Sequence, residues 1–230
     1  MNGSGASDSA GARWVEQYLR PLLGRLQDSS GKSHLDCLQL EADDEQEARR
    51  LRGRGHTCDI VLFDRQRRRQ GSWQPTPLLA EGLVLPVESE SYDLVFSGYF
   101  GRVTASHKNR QALARELARI CRPGGAVLLT LGNRLCPVDL SGNAPSLLHG
   151  WGCEQLVTFR EMEQLFLNEC GFSSLEPLSL AHMFSWNRLA RVPRFVVSGV
   201  DGYLRLISGS GRRWLYAGFL SPMFCLWIRR

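Results

Sequence analysis

The sequence predicts an α/β protein in which a largely parallel sheet of seven strands is covered by helices on both faces, a three-layer α/β/α arrangement. Short apolar runs alternate along the chain with segments of helical periodicity, an order that favours parallel pairing. The strand runs are mostly apolar rather than alternating, as in strands that are buried on both faces. The 230 residues, 43% of them apolar, are enough for one substantial core. We therefore expect one domain over residues 13–230, with a flexible segment at 1–12 and an insertion at about 181–221.

The first predicted element is a helix. Apolar residues recur at a spacing of four from Trp14 through Tyr18 and Leu22 to Leu26, which gives one apolar stripe. Pro21 lies inside this pattern and should kink the helix. A polar stretch ending in glycine, at residues 28–31, then breaks it.

The next elements alternate between strand and helix. A mostly apolar run at 35–40 is expected to be a strand, and the charged segment at 43–54 a helix that glycines at its end terminate. Short apolar runs predict strands at 60–63, 78–80 and 93–96.

The second half of the domain repeats this alternation. Apolar residues on one face predict a helix at 111–121, which Arg122-Pro123-Gly124-Gly125 stops as a turn. Thr158 and Glu161 form a capping box at the start of a helix that Gly171 ends. The remaining strands are expected at 126–131, 175–180 and 224–228.

Charge and cysteine content limit the function classes. The net charge of +5 comes from arginine, concentrated in the run at 65–69 and in the segment 188–230. A solvated loop is the favoured interpretation of that run, and nucleic-acid binding is not predicted. The seven cysteines are odd in number, scattered and without CxxC spacing, so neither a disulfide framework nor a metal site is indicated. With no secretion signal or apolar run of spanning length, a cytoplasmic location is expected.

Three segments together resemble the class I S-adenosylmethionine-dependent methyltransferases, within their small-molecule branch. They are Leu85–Ser97, Glu116–Gly125 and Leu156–Phe172, which look like that family's fourth-strand motif, the helix and turn before its fifth strand, and the step before its sixth. The resemblance covers roughly residues 33–180 and implies a Rossmann-like fold with S-adenosylmethionine as cofactor.

The resemblance also implies a set of cofactor-binding residues. Asp64, after the second strand, matches the acidic residue that accepts hydrogen bonds from the ribose hydroxyls, and Glu81 with Gly82 matches the position that meets the adenine amino group. The methionine and methyl-transfer region corresponds to Ser97, Gly98 and Tyr99. Taken from the residues alone, Asp64 can also be an ordinary strand-end carboxylate and Glu81 a solvated loop charge. Asp93, at the start of a buried strand, is expected to be structural.

One part of the family pattern is missing. The family carries a glycine-rich loop after its first strand, because the cofactor passes too close to the backbone for a Cβ. Leu38, Leu40 and Ala42 stand where those glycines belong. The branched side chains are expected to intrude on the cofactor's path, and a left-handed turn at leucine would cost about 1–2 kcal/mol.

Two interpretations follow from the missing glycines. The loop is rebuilt, with Glu41, Asp43 or Asp44 reaching the cofactor's amino group, or the fold survives as a binding or regulatory module. A dehydrogenase is disfavoured because it also requires the glycine loop.

The catalytic group stays unassigned at this stage. Arg102 stands where relatives commonly carry a histidine, while His107 and His149 are candidate bases that also fit plain loop histidines. The aromatic and arginine-rich segment 182–221 fits a lid over the acceptor, a contact with a membrane surface, or a helical elaboration on the core. The expected function is methylation of a small-molecule, glycan or lipid-linked acceptor. The alternative is an inactive homologue that binds a protein partner.

Overall fold

The computed structural model describes residues 19–42, 45–64, 73–97, 100, 106–134, 138–139, 146–147, 156–178 and 223–230. Seven strands form one sheet, which confirms the predicted fold class. The strands of the described residues are β1 Asp36–Leu40, β2 Thr57–Leu62, β3 Leu78–Leu79, β4 Tyr92–Ser97, β5 Cys121–Gly132, β6 Val138–Asp139, β7 Ser146–Leu147, β8 Ser174–Pro177 and β9 Met223–Arg229. The small antiparallel pair of β6 and β7, which the sequence did not predict, lies outside the main sheet.

The order of strands in the main sheet is β3-β2-β1-β4-β5-β9-β8. The first five run parallel, and β9 is antiparallel to both β5 and β8. The chain adds strands on one side of β1 and then, from β4 onward, on the other, so the order reverses between β1 and β4. In open α/β sheets, ligands bind beside such a reversal, at the carboxyl ends of the parallel strands.

Helices cover both faces of the sheet. They are α1 Arg20–Ser30, α2 Gln46–Arg52, α3 His107–Ile120 and α4 Phe159–Glu163, which continues as a π-helix over Gln164–Glu169. On one face, α3 contributes side chains such as Leu117, and the π-helix after α4 contributes Phe166, to a core cluster. On the other, α1 and α2 contribute side chains such as Leu26 and Leu51 to a second cluster. Strand β1 supplies residues to both clusters, which explains its nearly continuous apolar sequence.

The ends of the helices follow the local sequence. The capping box of Thr158 and Glu161 is present as predicted, with both reciprocal hydrogen bonds. Gly171, with φ 72°, follows the π-helix in the left-handed region. Gly31 ends α1 in the same way, and because α1 runs through Ser30, the predicted break begins only there. Within the described residues, Pro21 lies in the first turn of α1, where its missing N–H costs no hydrogen bond.

The join between α3 and β5 differs from the prediction. The helix begins at His107, with Ser106 as its cap, and β5 begins directly at Cys121. Arg122-Pro123-Gly124-Gly125 is therefore an irregular start of the strand, where the register to β4 shifts. An added Cβ at Gly125 would lie 2.9 Å from two main-chain oxygens, so glycine is required there for close packing.

The amino ends of β1, β4 and β5 are joined by an ionic cluster, which we call the amino-edge network: Lys32, Asp36, Asp93 and Arg122. Arg122 Nη1 lies 2.6 Å from Asp36 Oδ2 and 3.0 Å from Asp93 Oδ2, and Lys32 Nζ lies 2.6 Å from Asp93 Oδ1. The main-chain N–H of Asp36 also donates to Asp93. Asp93 is 4% exposed. These contacts give Asp93 the structural role that the sequence predicted.

Several predicted features lie outside the described residues: the segment 1–12, Trp14, Tyr18, the arginine run at 65–69, Gly98, Tyr99, Arg102, His149 and the insertion at about 181–221. Among the helices that are described, none has the length and apolarity needed to cross a membrane.

Candidate functional site

The carboxyl ends of the parallel strands form one edge of the sheet, which we call the carboxyl edge. It consists of Leu40, Leu62, Leu79 and Ser97 and of the residues that directly follow each. Leu40 is paired with Ser97 and with Val61, and Leu62 with Leu79, so these strand ends are in register.

Asp64 and Glu81 follow two neighbouring strands at this edge. Each is two residues past the paired Leu62 and Leu79, and the pairing continues one step further where Ala80 N–H donates to Leu62 O at 2.9 Å. Neighbouring strands are about 4.8 Å apart, so the two main chains run close together here. Both residues are exposed. The structure thus brings together, at two adjacent strand ends, the acids that the sequence selected.

Gly82 makes the turn that follows Glu81. It has φ 65°, in the left-handed region that favours glycine. Glu81 and Val84 exchange two main-chain hydrogen bonds of 3.2 Å across this turn. The main chain of Glu81 is therefore held by a hydrogen-bonded turn.

A pair of side chains on α3 holds the chain after this turn. Glu116 Oε2 accepts from the N–H of Leu85 at 3.1 Å, while Arg119 donates to the oxygens of Leu85 and Val87 at 3.0 and 2.8 Å. Arg119 and Glu116 also form an ion pair of 2.7 Å. The hydrogen bond from Arg119 is the main cause that lowers the pKa of Glu116. The sequence signal for this pair was its i,i+3 spacing on a predicted helix.

The end of β1 differs from the sequence expectation. Leu38 and Leu40 are 0% and 2% exposed and belong to the core cluster on the α3 face, while Ala42, 2% exposed, belongs to the cluster on the α1 face. The expected intrusion of the leucines over the edge was therefore wrong. Their side chains point into the core because they continue the alternation of a strand that is buried on both faces.

The left-handed turn after β1 falls on Glu41, not on a leucine. Glu41 has φ 52° and is 7% exposed. Its N–H donates to Val61 O at 2.8 Å, and its Oε2 accepts from Phe63 N–H at 2.9 Å. A carboxylate therefore closes the space between the ends of β1 and β2. The sequence named Glu41 only as a possible partner of the cofactor's amino group, and it gave no sign of the contact with Phe63.

Beneath this edge lies a polar group of β1 with incomplete hydrogen bonding. Gln39 is 5% exposed, and its amide N–H donates to Glu47 of α2. Its Oε1 is buried without a hydrogen-bond partner among the described residues.

Of the remaining site residues that the sequence predicted, the structure describes only some. Ser97, 3% exposed, ends β4 beside Leu40, while Gly98 and Tyr99 are not described. Phe100 is buried and packs against Phe166 of the π-helix with ring centroids 6.5 Å apart. Of the two candidate bases, His107 is exposed at the start of α3, and His149 is not described.

Thiol and metal chemistry have no support within the described ranges. The cysteines described there are free, and all but Cys170 are buried. Burial raises the pKa of Cys121 and of Cys225 to about 12, so these thiols are not nucleophiles at neutral pH. In the same ranges, no group of three or more His, Cys, Asp or Glu side chains is placed to hold a metal ion.

The carboxylates at the edge are groups that could hold one half of an adenosyl cofactor. Carboxylates at adjacent strand ends suit a vicinal diol and an amino group, since both are hydrogen-bond donors. The end of β1 has no glycine that would leave room for the methionine half of the cofactor. The residue that follows β1 is Glu41, and its carboxylate accepts from Phe63 N–H.

Comparison with known proteins assigns part of the chain to a family. Residues 47–129 match the family described as the methyltransferase domain. The match begins within α2 and ends in β5, so it includes Asp64, Glu81 and Ser97 and leaves β1 outside. No curated protein matches the sequence significantly.

Solved structures share the fold at low sequence identity. A protein of Galdieria sulphuraria assigned as a sarcosine dimethylglycine methyltransferase has 17% identity, covers 94% of this chain and 83% of its own, and gives a TM-score of 0.54. A protein of Anabaena variabilis assigned as a methyltransferase of an antibiotic biosynthesis pathway has 13% identity, with 92% and 97% covered and a TM-score of 0.54.

A third structure contains the cofactor. Phosphoethanolamine N-methyltransferase 2 of Haemonchus contortus, in complex with S-adenosylmethionine, has 14% identity, with 97% of this chain and 56% of that chain covered and a TM-score of 0.52. At these identities the similarity concerns the fold. The chain thus contains a segment, residues 47–129, that matches the methyltransferase domain, within a sheet that has the fold of these methyltransferases.

Proposed function

We propose that the chain binds S-adenosylmethionine at the carboxyl edge and methylates a small-molecule, glycan or lipid-linked acceptor. The observation that carries this proposal is the placement of Asp64 and Glu81, two exposed carboxylates that each lie two residues past the paired ends of β2 and β3.

Asp64 is proposed to bind the ribose. A carboxylate has two oxygens and can accept one hydrogen bond from each hydroxyl of a vicinal diol. Asp64 follows a strand whose last residues are fixed by pairing on both sides, to β1 and to β3. A group held in this way loses little conformational freedom on binding.

Glu81 is proposed to accept from the adenine amino group. The Gly82 turn and the Glu116–Arg119 pair hold the chain on its carboxyl side, while pairing of Ala80 with Leu62 holds the other. The purine would then lie at the outer strand of the sheet, with the ribose one strand further in.

Methyl transfer depends mainly on how the protein positions the acceptor relative to the methyl group. The bound cofactor supplies a methyl group on a positively charged sulfur, ready for in-line displacement by a nucleophile. Ser97, Gly98 and Tyr99 are proposed to line that region because they end or follow β4, next to the reversal of strand order. The protein would contribute by aligning the acceptor and excluding water. No general base is assigned.

The class of acceptor rests on the neighbours' names. Two of the proteins with this fold carry names of methyltransferases for small amine-containing compounds, sarcosine dimethylglycine and phosphoethanolamine. This supports a small-molecule acceptor for the present chain, while a glycan or lipid-linked acceptor stays within the proposal.

A second candidate function is favoured by the end of β1. Leu40 is buried, and the carboxylate of Glu41 fills the space between the ends of β1 and β2, a region that lies outside the family match. A chain closed in this way would act as a binding or regulatory module for a protein partner, without cofactor.

The organisation and location of the chain are also proposals. We propose one domain over residues 13–230 in a cytoplasmic protein, with the segment 182–221 as a lid or a contact with a membrane surface. Copurification with anionic lipid vesicles that is lost on deleting 182–221 would support the membrane contact.

The proposed site is tested by isothermal titration of S-adenosylhomocysteine into the wild type and Asp64→Ala. We expect the substitution to weaken binding by about 1.5–3 kcal/mol, the range for a hydrogen bond to a charged group. Glu88→Ala is the control, because Glu88 is exposed on the loop before β4 at the opposite edge. Equal affinity of wild type and Asp64→Ala would show that the ribose binds elsewhere.

A further inference from the structure

Glu41 combines three features that are unusual in one residue. It is a non-glycine residue with φ 52°, and it is a carboxylate that is 7% exposed. Its main chain is bonded to Val61 of β2, and its side chain to Phe63, which directly follows β2. Left-handed backbone at such a residue costs about 1 kcal/mol or more and persists only where the surroundings hold it.

The side-chain bond replaces a bond of the sheet. Glu41 N–H donates to Val61 O, and in a regular parallel ladder Phe63 N–H would next donate to the main-chain oxygen of Glu41. The left-handed turn carries that oxygen away. Phe63 N–H donates instead to the carboxylate of Glu41 at 2.9 Å. The hydrogen bonding between β1 and β2 thus continues for one more bond, in which a side-chain oxygen replaces the main-chain oxygen.

This bond ends one residue before the proposed ribose acid. β2 ends at Leu62, so Phe63 lies just past the regular strand. Without the Glu41 carboxylate, the N–H of Phe63 would have no hydrogen-bond partner on the β1 side. The main chain that enters Asp64 is fixed by the Glu41 contact on one side and by the pairing of Leu62 with Ala80 on the other.

We propose that Glu41 is a positioning residue for the cofactor site: its carboxylate fixes the main chain at Phe63 and thereby holds Asp64 where it meets the ribose. The ligand in this inference is taken from the proposed function, whereas the contact of Glu41 with Phe63 does not depend on it. In this role the residue after β1 supports the adenosyl half of the site through β2, whereas the missing glycines would have made room for the methionine half.

Three substitutions separate the contributions of Glu41. Glu41→Ala removes the acceptor, Glu41→Gln keeps an oxygen that can accept from Phe63, and Glu41→Gly removes the acceptor while relieving the left-handed backbone. The matched control is Glu90→Ala, because Glu90 is also a glutamate with positive φ (56°) and lies at the opposite edge of the sheet.

The first measurement is hydrogen exchange of the Phe63 amide in the ligand-free protein. We expect slow exchange in the wild type, Glu41→Gln and Glu90→Ala, and exchange faster by about tenfold or more in Glu41→Ala and Glu41→Gly. Equal Phe63 exchange in the wild type and Glu41→Ala would overturn the inference, whether or not a ligand binds.

The second measurement is the affinity for S-adenosylhomocysteine, taken well below the unfolding transition of each variant. Loss of the contact should weaken binding by about 5–100-fold in Glu41→Ala and by no more than about twofold in Glu41→Gln. In an Asp64→Ala background, Glu41→Ala should add no more than about twofold, because it acts through Asp64. Full additivity of the two substitutions would overturn the positioning role.

The two measurements distinguish failure of this inference from failure of the proposed function. One outcome is that the wild type binds no cofactor while the Phe63 amide still exchanges faster in Glu41→Ala than in the wild type. That result would contradict the proposed function and support the role of Glu41 in holding Phe63. Tight binding that Glu41→Ala leaves unchanged would contradict the inference alone.

Discussion

The two edges of the same sheet use carboxylates in opposite ways. At the amino edge, Asp36 and Asp93 share Arg122, and Asp93 also pairs with Lys32. At the carboxyl edge, Asp64 and Glu81 follow adjacent strand ends and are exposed.

The pairing at the amino edge has an electrostatic consequence. Although burial raises it, the pKa of Asp36 lies below its usual value because Arg122 and Thr57 donate hydrogen bonds to the carboxylate. Burial also opposes ionisation of Asp93, but the N–H of Asp36 and the cations of Lys32 and Arg122 lower its pKa. Ionisation of these acids is thus coupled to folding.

The comparison shows how a structural carboxylate is told from a candidate functional one. Asp93 and Asp64 both flank buried strands, and their sequence contexts are similar. The amino-edge acids are expected to determine stability and to leave ligand binding unchanged, and the carboxyl-edge acids to do the reverse. Each of the following predictions tests one side of this division.

The largest expected effect on stability is that of Arg122→Ala. It leaves Asp36 and Asp93 facing each other without their shared cation, and breaking a fully buried pair costs about 3–5 kcal/mol. Because Arg122 and Asp36 are 30% and 33% exposed, we expect a loss of about 2–3 kcal/mol in the free energy of unfolding.

Urea unfolding measures this loss, with Arg25→Ala, on the exposed side of α1, as the control. The affinity for S-adenosylhomocysteine should stay within about twofold of the wild type. A stable Arg122→Ala variant with impaired binding would reverse the assignment of the two edges.

The amino-edge network also predicts how stability depends on pH. The folded pKa values of Asp36 and Asp93, and of Glu116 outside the network, are lowered, so the unfolded state binds more protons at acidic pH. Their contribution is present above the unfolded values of about 3.9 for Asp and 4.3 for Glu and is lost as the pH falls through the lower folded values.

Unfolding in urea between pH 3 and 7 checks this dependence. The wild type should lose stability below about pH 4.5, and Arg122→Ala should lose less over the same range, because Asp36 and Asp93 no longer have their shared cation. Parallel pH curves for the two proteins would contradict the role given to Arg122.

The smallest expected effect is that of Glu81→Ala. It removes a single hydrogen bond to a charged group, so binding of S-adenosylhomocysteine should weaken by about 1.5 kcal/mol, the lower end of the range for such bonds, with the free energy of unfolding nearly unchanged. The S-adenosylhomocysteine analogue that carries hydrogen in place of the 6-amino group should bind the wild type and Glu81→Ala equally, because it has no donor for the carboxylate. A substitution that weakens both ligands alike would place Glu81 away from the purine.

The fold could be predicted because its signals are local and repeated. The apolar runs gave all seven strands of the main sheet, and Thr158 with Glu161 gave the start of α4. The boundaries moved where tertiary pairing overrode the local pattern, as at β5, which begins at Cys121 because that residue pairs with Tyr92.

The site could be predicted only in part. Asp64 and Glu81 follow apolar runs, so their place at strand ends is visible in the sequence, and the family resemblance supplied their roles. The contact of Glu41 with Phe63 and the sharing of Arg122 join residues 22 and 86 positions apart. No local pattern encodes such contacts, since they depend on strand order and on the direction of one turn.

The central claim is that the carboxyl edge still binds the cofactor although its glycine loop is gone. Isothermal titration of the wild type with S-adenosylhomocysteine tests it most directly. We predict a dissociation constant at or below about 100 μM, which corresponds to roughly 5.5 kcal/mol. No heat of binding, together with no thermal shift at millimolar ligand, would contradict the claim and favour the binding module.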